Sequence, residues 1–388
     1  MDGSLCKVKE EKMTRTIICV IGTRPEAIKM APVILTLKKS TAYRTLVLAT
    51  GQHSDMLDQA LSFFDIHADE NLQIMKARQT LDHITSRVLV GTGEIYDKEK
   101  PDLVLVHGDT TTTLGASMSA FYRKIPVGHV EAGLRSGNLE QPFPEEANRV
   151  ITDRLATLFF APTDRAKHNL LSENVAEERI FVTGNTVIDA LAWTLRQNRG
   201  HAPQKEYSLP EDAPLVLMTA HRRESWGEPL KEICKAIKHL LTELPHVYFL
   251  IPLHKNPAVR DVIKSCLGKS ERVVFTDPLD YPDFIQAMNR SYLILSDSGG
   301  VQEEASFLKK PVLIMRNLSE RPEAIDEGTG ILVGTDKEKI IFETLRLFSN
   351  KREYDNLVAE SKSPFGDGTA AEKIEKHIFN FFNPGNIV

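Results

Sequence analysis

The sequence predicts an α/β protein of two doubly wound domains facing a cleft, and three observations predict it. Short apolar runs of strand length alternate with segments of helical periodicity along nearly the whole chain. The alternation stops at a polar stretch bearing Gly and Pro, residues 197–214, and then restarts. A length of 388 residues exceeds the roughly 250–300 that one hydrophobic core holds.

The spacing predicts a first strand over 16–21, after which Gly22-Thr23-Arg24-Pro25-Glu26 opens a helix, with Pro25 suited to its first position. That helix carries Ile28, Ala31, Leu35 and Leu37 on its apolar side, with a kink expected at Pro32. A second strand over 43–49 ends in Thr50-Gly51-Gln52-His53. Helical stretches follow at 54–64 and 79–98, the latter with Leu81, Ile84 and Val88 on one face. Strands over 102–106 and 126–130 end in His107-Gly108-Asp109 and in Glu131. After the loop Gln141-Pro142-Phe143-Pro144 come a helix from Glu145, a strand at 158–161, a helix at 163–172 and a strand at 180–183. A helix from near Asn185 leads into the polar linker. Beyond it, strand-like runs fall at 215–219, 247–251, 272–276, 293–296, 312–315 and 330–333, separated by helices, with a final amphipathic helix from 367. Residues 14–185, joined by helix 367–388, therefore read as one Rossmann-like domain and 186–366 as a second, with residues 1–13 a disordered extension.

The stretch most suggestive of a ligand is YLILSDSGGVQEEASFLK, residues 292–309. A buried strand turns through Ser298-Gly299-Gly300 into a helix with Val301, Ala305 and Leu308 on one face. Such a turn aims backbone N–H groups and the positive end of the helix dipole at one spot, which suits a phosphate or diphosphate. Without Cβ atoms, Gly299 and Gly300 let a ligand approach the backbone. A plainer alternative is that Ser298 and Glu304 cap and charge-balance a helix start. Asp-Ser-Gly-Gly is also similar to the GDSGG of trypsin-like proteases, but those folds are nearly all β and this chain alternates.

Composition excludes several classes. With 41% hydrophobic and 26% charged residues and a formal charge of −5 from 48 basic and 53 acidic side chains, the chain has no electrostatic footprint for nucleic acid. No apolar run reaches about 18 residues, so no membrane partner is expected, and the charged N-terminus does not read as a signal peptide. Cys6, Cys19, Cys234 and Cys266 lack metal-type spacing, and a cytoplasmic, reducing location is the expectation.

Polar residues recur where strands end at their carboxyl edge, the ligand-binding edge of open α/β sheets. They are Arg24, Gln52-His53, Asp109 and Glu131 in the first half, and His221-Arg222-Arg223, His254 and Ser298 in the second. Each has a structural alternative: Asp109 as a helix cap, Glu145 and Glu146 as first-turn carboxylates, Arg222 and Arg223 as a solvated face. No GxGxxG follows a strand, since Gly328-Thr329-Gly330 precedes one and lacks the third glycine. GxxxxGK[ST], HExxH and the zinc-deaminase pattern are absent too. The expected site runs on carboxylates, His and Arg, with no cofactor and no metal.

Taken together, GTRPEAIKMAP (22–32), GQH (51–53), HGDTTTT (107–113), HVEAGLRS (129–136), PFPEEANR (142–149), GNTVIDAL (184–191), AHRRES (220–225), SDSGGVQEEA (296–305) and ERPEA (320–324) resemble the non-hydrolysing UDP-N-acetylglucosamine 2-epimerases. The resemblance runs from residue 13 to about 336 with the segments in order. It implies the two-domain glycosyltransferase-B (GT-B) architecture, with 186–366 the UDP-binding domain, a homodimer, and a role in cell-surface polysaccharide synthesis. The implied reaction interconverts UDP-GlcNAc and UDP-ManNAc by anti elimination of UDP to 2-acetamidoglucal, followed by re-addition. By similarity, Asp109, Glu131 and Glu145 transfer the proton and His221 steadies the leaving UDP. Arg24, Lys29 and Arg321 match positions that contact the nucleotide sugar. Ser298, Gly299 and Gly300 match the diphosphate site, Glu304 the ribose site, and Leu279 and Phe284 the surroundings of the uracil. Gln52, His53, Arg78, Arg223 and His254 match a second, activating UDP-GlcNAc pocket, although Asp55 stands where some members have a second Gln.

Rival readings are a hydrolysing epimerase, an epimerase of a more modified UDP-sugar, a GT-B glycosyltransferase and a non-catalytic UDP-sugar sensor. The hydrolysing group usually reads GDR where this chain has Gly108-Asp109-Thr110, and a sensor has no need of the three carboxylates.

Overall fold

The computed structural model describes residues 14–51, 54–76, 79–197, 209–210, 212–222, 225–317, 321–360 and 362–385. The expected disordered extension over 1–13 lies outside them. The chain divides into two compact units: one runs to Thr183 and takes back the chain from Ala371, and the other is Gly184–Ala370.

In the N-terminal unit the order begins β1 (Arg15–Ile21), α1 (Arg24–Lys39), β2 (Tyr43–Ala49), α2 (Ser54–Phe63), β3 (Glu70–Asn71) and α3 (Leu81–Glu99). It continues β4 (Leu103–His107), α4 (Thr111–Tyr122), β5 (Val127–Val130), α5 (Glu145–Leu155), β6 (Leu158–Ala161), α6 (Asp164–Ser172) and β7 (Ile180–Val182). The C-terminal unit opens with α7 (Thr186–Gln197), β8 (Leu215–Thr219), α8 (Glu228–Glu243), β9 (Tyr248–Pro252), α9 (Pro257–Leu267) and β10 (Val273–Thr276). Then come α10 (Tyr281–Arg290), β11 (Leu293–Ser296), α11 (Gly299–Leu308), β12 (Val312–Ile314), α12 (Pro322–Asp326) and β13 (Gly330–Leu332). Helices α13 (Lys337–Ser349), α14 (Lys351–Glu360) and α15 (Ala370–Phe382) complete the chain.

Each unit has one parallel sheet, of seven strands in the order β3-β2-β1-β4-β5-β6-β7 and of six in the order β10-β9-β8-β11-β12-β13. The expected α/β class with two doubly wound sheets is what the structure contains. Ile18 of β1 faces Leu46 on one side and Val104 on the other, and Ile294 of β11 faces Leu217 and Val312. These central strands are buried along nearly their whole length, as expected where helices cover both faces. The strand order reverses between β1 and β4 in one sheet and between β8 and β11 in the other. Neighbouring connections there leave toward opposite faces and open a crevice at the carboxyl edge.

Local details depart from the sequence reading. In helix α1 the buried set includes Ala27, Met30, Ala31, Ile34 and Leu37, leaving Leu35 half-buried at the flank. The final helix begins at Ala370, because Gly366 and Gly368 take positive φ and Asp367 accepts the Thr369 N–H, making a turn where helix was expected. The two-residue edge strand β3 is too short to leave a periodic signal. Phe382 lies 6.4 Å from Tyr43 and the His377 ring stacks 3.9 Å from Phe181, seating α15 on the N-terminal sheet. No described helix is long and apolar enough to cross a membrane.

One glycine of HVEAGLRS has a purely architectural task. Gly133 takes φ +85°, and a Cβ there would collide with the Ala166 carbonyl on α6. Gly133→Ala should therefore cost more than about 1 kcal/mol. Calorimetry should show a transition lowered by about 2–4 °C or more; an unmoved transition would mean that α6 yields freely.

Candidate active site

The N-terminal switch point is built on Glu26. Thr23 and Glu26 form the capping box of α1: the Thr23 hydroxyl and the Gly22 N–H donate to Glu26 Oε2 at 2.8 and 3.0 Å. The hydroxyls of Thr110 and Thr113 donate to Oε1 at 2.8 and 3.2 Å. Burial raises the Glu26 pKa above the usual carboxylate value, and these four donors pull against it. Gly22 must be glycine here, since a Cβ would meet the Thr112 and Thr50 hydroxyls. The β1–α1 and β4–α4 loops are thus tied together, with Arg24 and Asp109 carried on them.

Two acidic side chains at this edge stand beside cations. Glu131, at φ +67° just after β5, accepts from Lys29 Nζ at 2.5 Å, and its other oxygen lies 3.4 Å from His107 Nε2. Asp109 Oδ2 accepts from Arg149 Nη2 at 2.5 Å, and the Asp109 carbonyl accepts from Asn148 Nδ2 at 2.9 Å. Arg149 lies one turn after Glu145 on α5, so one helix face carries both the partner of Asp109 and Glu145. Beneath them the His129 ring bridges Asp153 Oδ1 (2.6 Å) and the Gly108 carbonyl (2.7 Å). Burial works to raise the Asp153 pKa, but His129 and Arg135 outweigh it and hold it below the usual value. Arg135 bonds Asp153 at 2.7 Å and Glu173 at 2.6 Å.

At the C-terminal switch point Asp297 is the centre. Its buried carboxylate accepts the N–H of His221 (3.0 Å) and of Arg222 (2.9 Å), and the Ser225 hydroxyl (3.2 Å). His221 Nδ1 lies 3.0 Å from Asp297 Oδ1. Burial works to raise the Asp297 pKa, and these donors, His221 foremost, bring it below the usual value. Ser298 stands at the N-cap of α11, yet its side chain makes no capping bond. Its N–H donates to Ser296 Oγ at 3.0 Å. That N–H is therefore spent inside the turn. An added Cβ on Gly299 would sit 3.8 Å from the Arg321 guanidinium, whereas at Gly300 it would meet nothing within 4 Å. Arg321 is steered there by an ion pair to Glu303, which also accepts from Asn185 Nδ2 at 3.0 Å. A guanidinium beside a helix N-terminus is an arrangement that suits an anion.

Among the other expected residues, Glu304 is buried in α11, Leu279 is buried just before α10, and Phe284 is half-buried within it. His254 is exposed, and its Nδ1 accepts the Asn256 N–H at 3.1 Å. Burial, with the nearby His221, lowers its pKa. Gln52, His53, Arg78 and Arg223 lie outside the described residues. Sequence reasoning passed over Glu26, His107, Arg149, Asp297 and Glu303, all of them inside the quoted segments. Thr23-x-x-Glu26 is a readable capping box, but nothing local marks Asp297 or Glu303 as the anchor of a distant residue.

Two doubly wound α/β units, each with polar side chains gathered at its switch point, define a protein of the GT-B fold class. The chain belongs to the UDP-N-acetylglucosamine 2-epimerase family, whose family model matches residues 35–379. It is 48% identical over 370 residues to the UDP-N-acetylglucosamine 2-epimerase of Escherichia coli K12, covering 94% of this chain and 98% of that one. To the Bacillus subtilis 168 enzyme of the same name it is 49% identical over 366 residues, covering 94% and 95%. Among solved structures, UDP-GlcNAc 2-epimerase from Neisseria meningitidis bound to UDP-GlcNAc superposes with a TM-score of 0.88 at 45% identity, covering 94% and 100%.

The His107 environment yields a pH prediction. Burial, only partly opposed by Glu131, lowers its pKa from 6.5 to about 3. Between those values the unfolded chain binds a proton that the folded chain does not. Stability therefore falls with acid over this window, by up to about 1.4 kcal/mol per pH unit, and recovers as pH rises through 6.5. His107→Gln should flatten that part of the stability–pH curve; an unchanged slope would show that the ring takes up its proton in the fold.

Proposed function

We propose that the protein interconverts UDP-GlcNAc and UDP-ManNAc by anti elimination and re-addition of UDP, without net hydrolysis. The observation that carries this reading is the anion site of the C-terminal unit, in a chain whose relatives are named for this epimerisation. The C2 hydrogen of the sugar is not next to a carbonyl, so its direct removal as a proton is very unfavourable. Departure of UDP from C1 builds positive charge there and acidifies C2–H. Loss of that proton leaves 2-acetamidoglucal and UDP, and re-addition with protonation on the other face gives the epimer.

The reaction needs dipoles and cations for the departing diphosphate and acid/base groups for C2. Gly299, Gly300, the Ser298 hydroxyl and Arg321 meet the first need, with His221 at the bridging oxygen. Glu304 suits the ribose hydroxyls, and Leu279 and Phe284 suit the uracil. Asp109, Glu131 and Glu145 meet the second need, and Arg24 and Lys29 contact the nucleotide sugar. The Lys29–Glu131 and Arg149–Asp109 pairs hold two of these carboxylates in fixed orientations, which supports a role in proton transfer.

The test is incubation with UDP-GlcNAc in D₂O, following sugar C2 and free UDP by NMR. Deuterium at C2 within a stable mixture of two UDP-sugars is expected. Stoichiometric UDP and free ManNAc would replace this reading with hydrolysis, and no turnover would favour a sensor. Asp109→Asn should slow C2 exchange by roughly 10²–10⁴-fold while UDP still binds. Wild-type exchange in that variant would remove Asp109 from the acid/base set.

A further inference from the structure

Resting on the UDP-departure reading above, we infer that Asp297 is the positioning residue of this site. It holds the His221 ring with its proton on Nδ1 and turns Nε2 toward the leaving diphosphate. Asp297 is fully buried, and the partners around it are donors: the His221 and Arg222 N–H groups, the Ser225 hydroxyl and the His221 ring. A carboxylate among donors can only accept, so the ring nitrogen 3.0 Å away must carry a hydrogen. Once Nδ1 carries the hydrogen and faces inward, Nε2 is left on the outer edge of the ring, whose side chain is 41% exposed.

The same carboxylate also fixes the main chain under the ring. By accepting the N–H groups of His221 and Arg222 it ties the connection after β8 to the one after β11. Ring orientation and loop position are thus set by one group, which leaves His221 little freedom to rotate. His254 makes a useful contrast. Its Nδ1 accepts the Asn256 N–H, so in the neutral ring the hydrogen sits on Nε2, the opposite tautomer.

The chemical consequence follows the electrons. When the C1–O bond breaks, the bonding pair leaves with the β-phosphate oxygen of UDP. With a second proton taken up from water on Nε2, the ring donates a hydrogen bond to that oxygen, and this proton stays on the ring as the C1–O bond breaks. Asp297 behind the ring stabilises this imidazolium as the negative charge builds. On return, the same contact holds the oxygen in place for re-addition at C1.

The experiment reads the ring directly. The full chain, labelled with ¹⁵N-histidine, is followed in long-range ¹H–¹⁵N spectra at the alkaline end of a pH series, and His221 is assigned by its loss in His221→Gln. The expected pattern is the Nδ1–H tautomer for His221, with His254 as the Nε2–H reference. Asp297→Asn should convert His221 to Nε2–H and lower kcat on the order of 10²–10⁴-fold with KM changed less than about threefold. Ser225→Ala, which removes a donor without touching the ring, should leave the tautomer as it was. An Nε2–H tautomer for His221 in the wild type would overturn the inference, whether or not the Asn variant folds. So would an Asn variant that keeps both tautomer and kcat. Because the tautomer is read without substrate, its failure is separate from failure of the D₂O test.

Discussion

In both units a buried carboxylate ties together the two loops that flank the point where strand order reverses. Glu26 reaches from the β1–α1 connection to hydroxyls at the start of α4. Asp297 reaches from the end of β11 to the backbone after β8. The need is physical: adjacent connections at a switch point diverge to opposite faces of the sheet, so no ladder of hydrogen bonds holds them to each other. A carboxylate with several donors can do so, provided that every lone pair finds a partner, because an unsatisfied buried charge would be far more costly. Everything carried on those loops, Arg24 and Asp109 in one unit and His221 and Ser298 in the other, takes its position from these two groups.

The units differ in the sign of what they present. The N-terminal edge carries carboxylates that stand against Lys29 and Arg149, so acidic groups can be gathered without unrelieved repulsion. The C-terminal edge carries a helix N-terminus with a guanidinium beside it, and the carboxylates there, Glu303 and Asp297, point inward to hold Arg321 and His221. Paired acidic groups and a helix N-terminus with its guanidinium are thus carried by two separately built sheets.

Much of what looks like chemistry in the quoted segments serves as support. In HVEAGLRS, Glu131 stands at the sheet edge, while His129, Gly133 and Arg135 hold the layer beneath it. In PFPEEANR, Glu146 accepts the Ser136 and Gly137 N–H groups, and Asn148 and Arg149 hold Asp109. A residue in a motif is therefore as apt to hold a neighbouring side chain in place as to stand at the sheet edge itself. Only its hydrogen bonds tell the two apart.

The sequence by itself determined the class of fold and the set of polar residues at strand ends. Strand and helix periodicity, glycine turns and capping residues act over a few positions, and so they can be read locally. The tertiary structure alone decided which of those residues meet and what the hidden ones do. Lys29 finds Glu131 across 102 positions, and His221 finds Asp297 across 76. It also gave the Ser298 N–H to the Ser296 hydroxyl oxygen. Such pairings depend on strand order in the sheet, and strand order is set by long-range packing that no local window of residues contains.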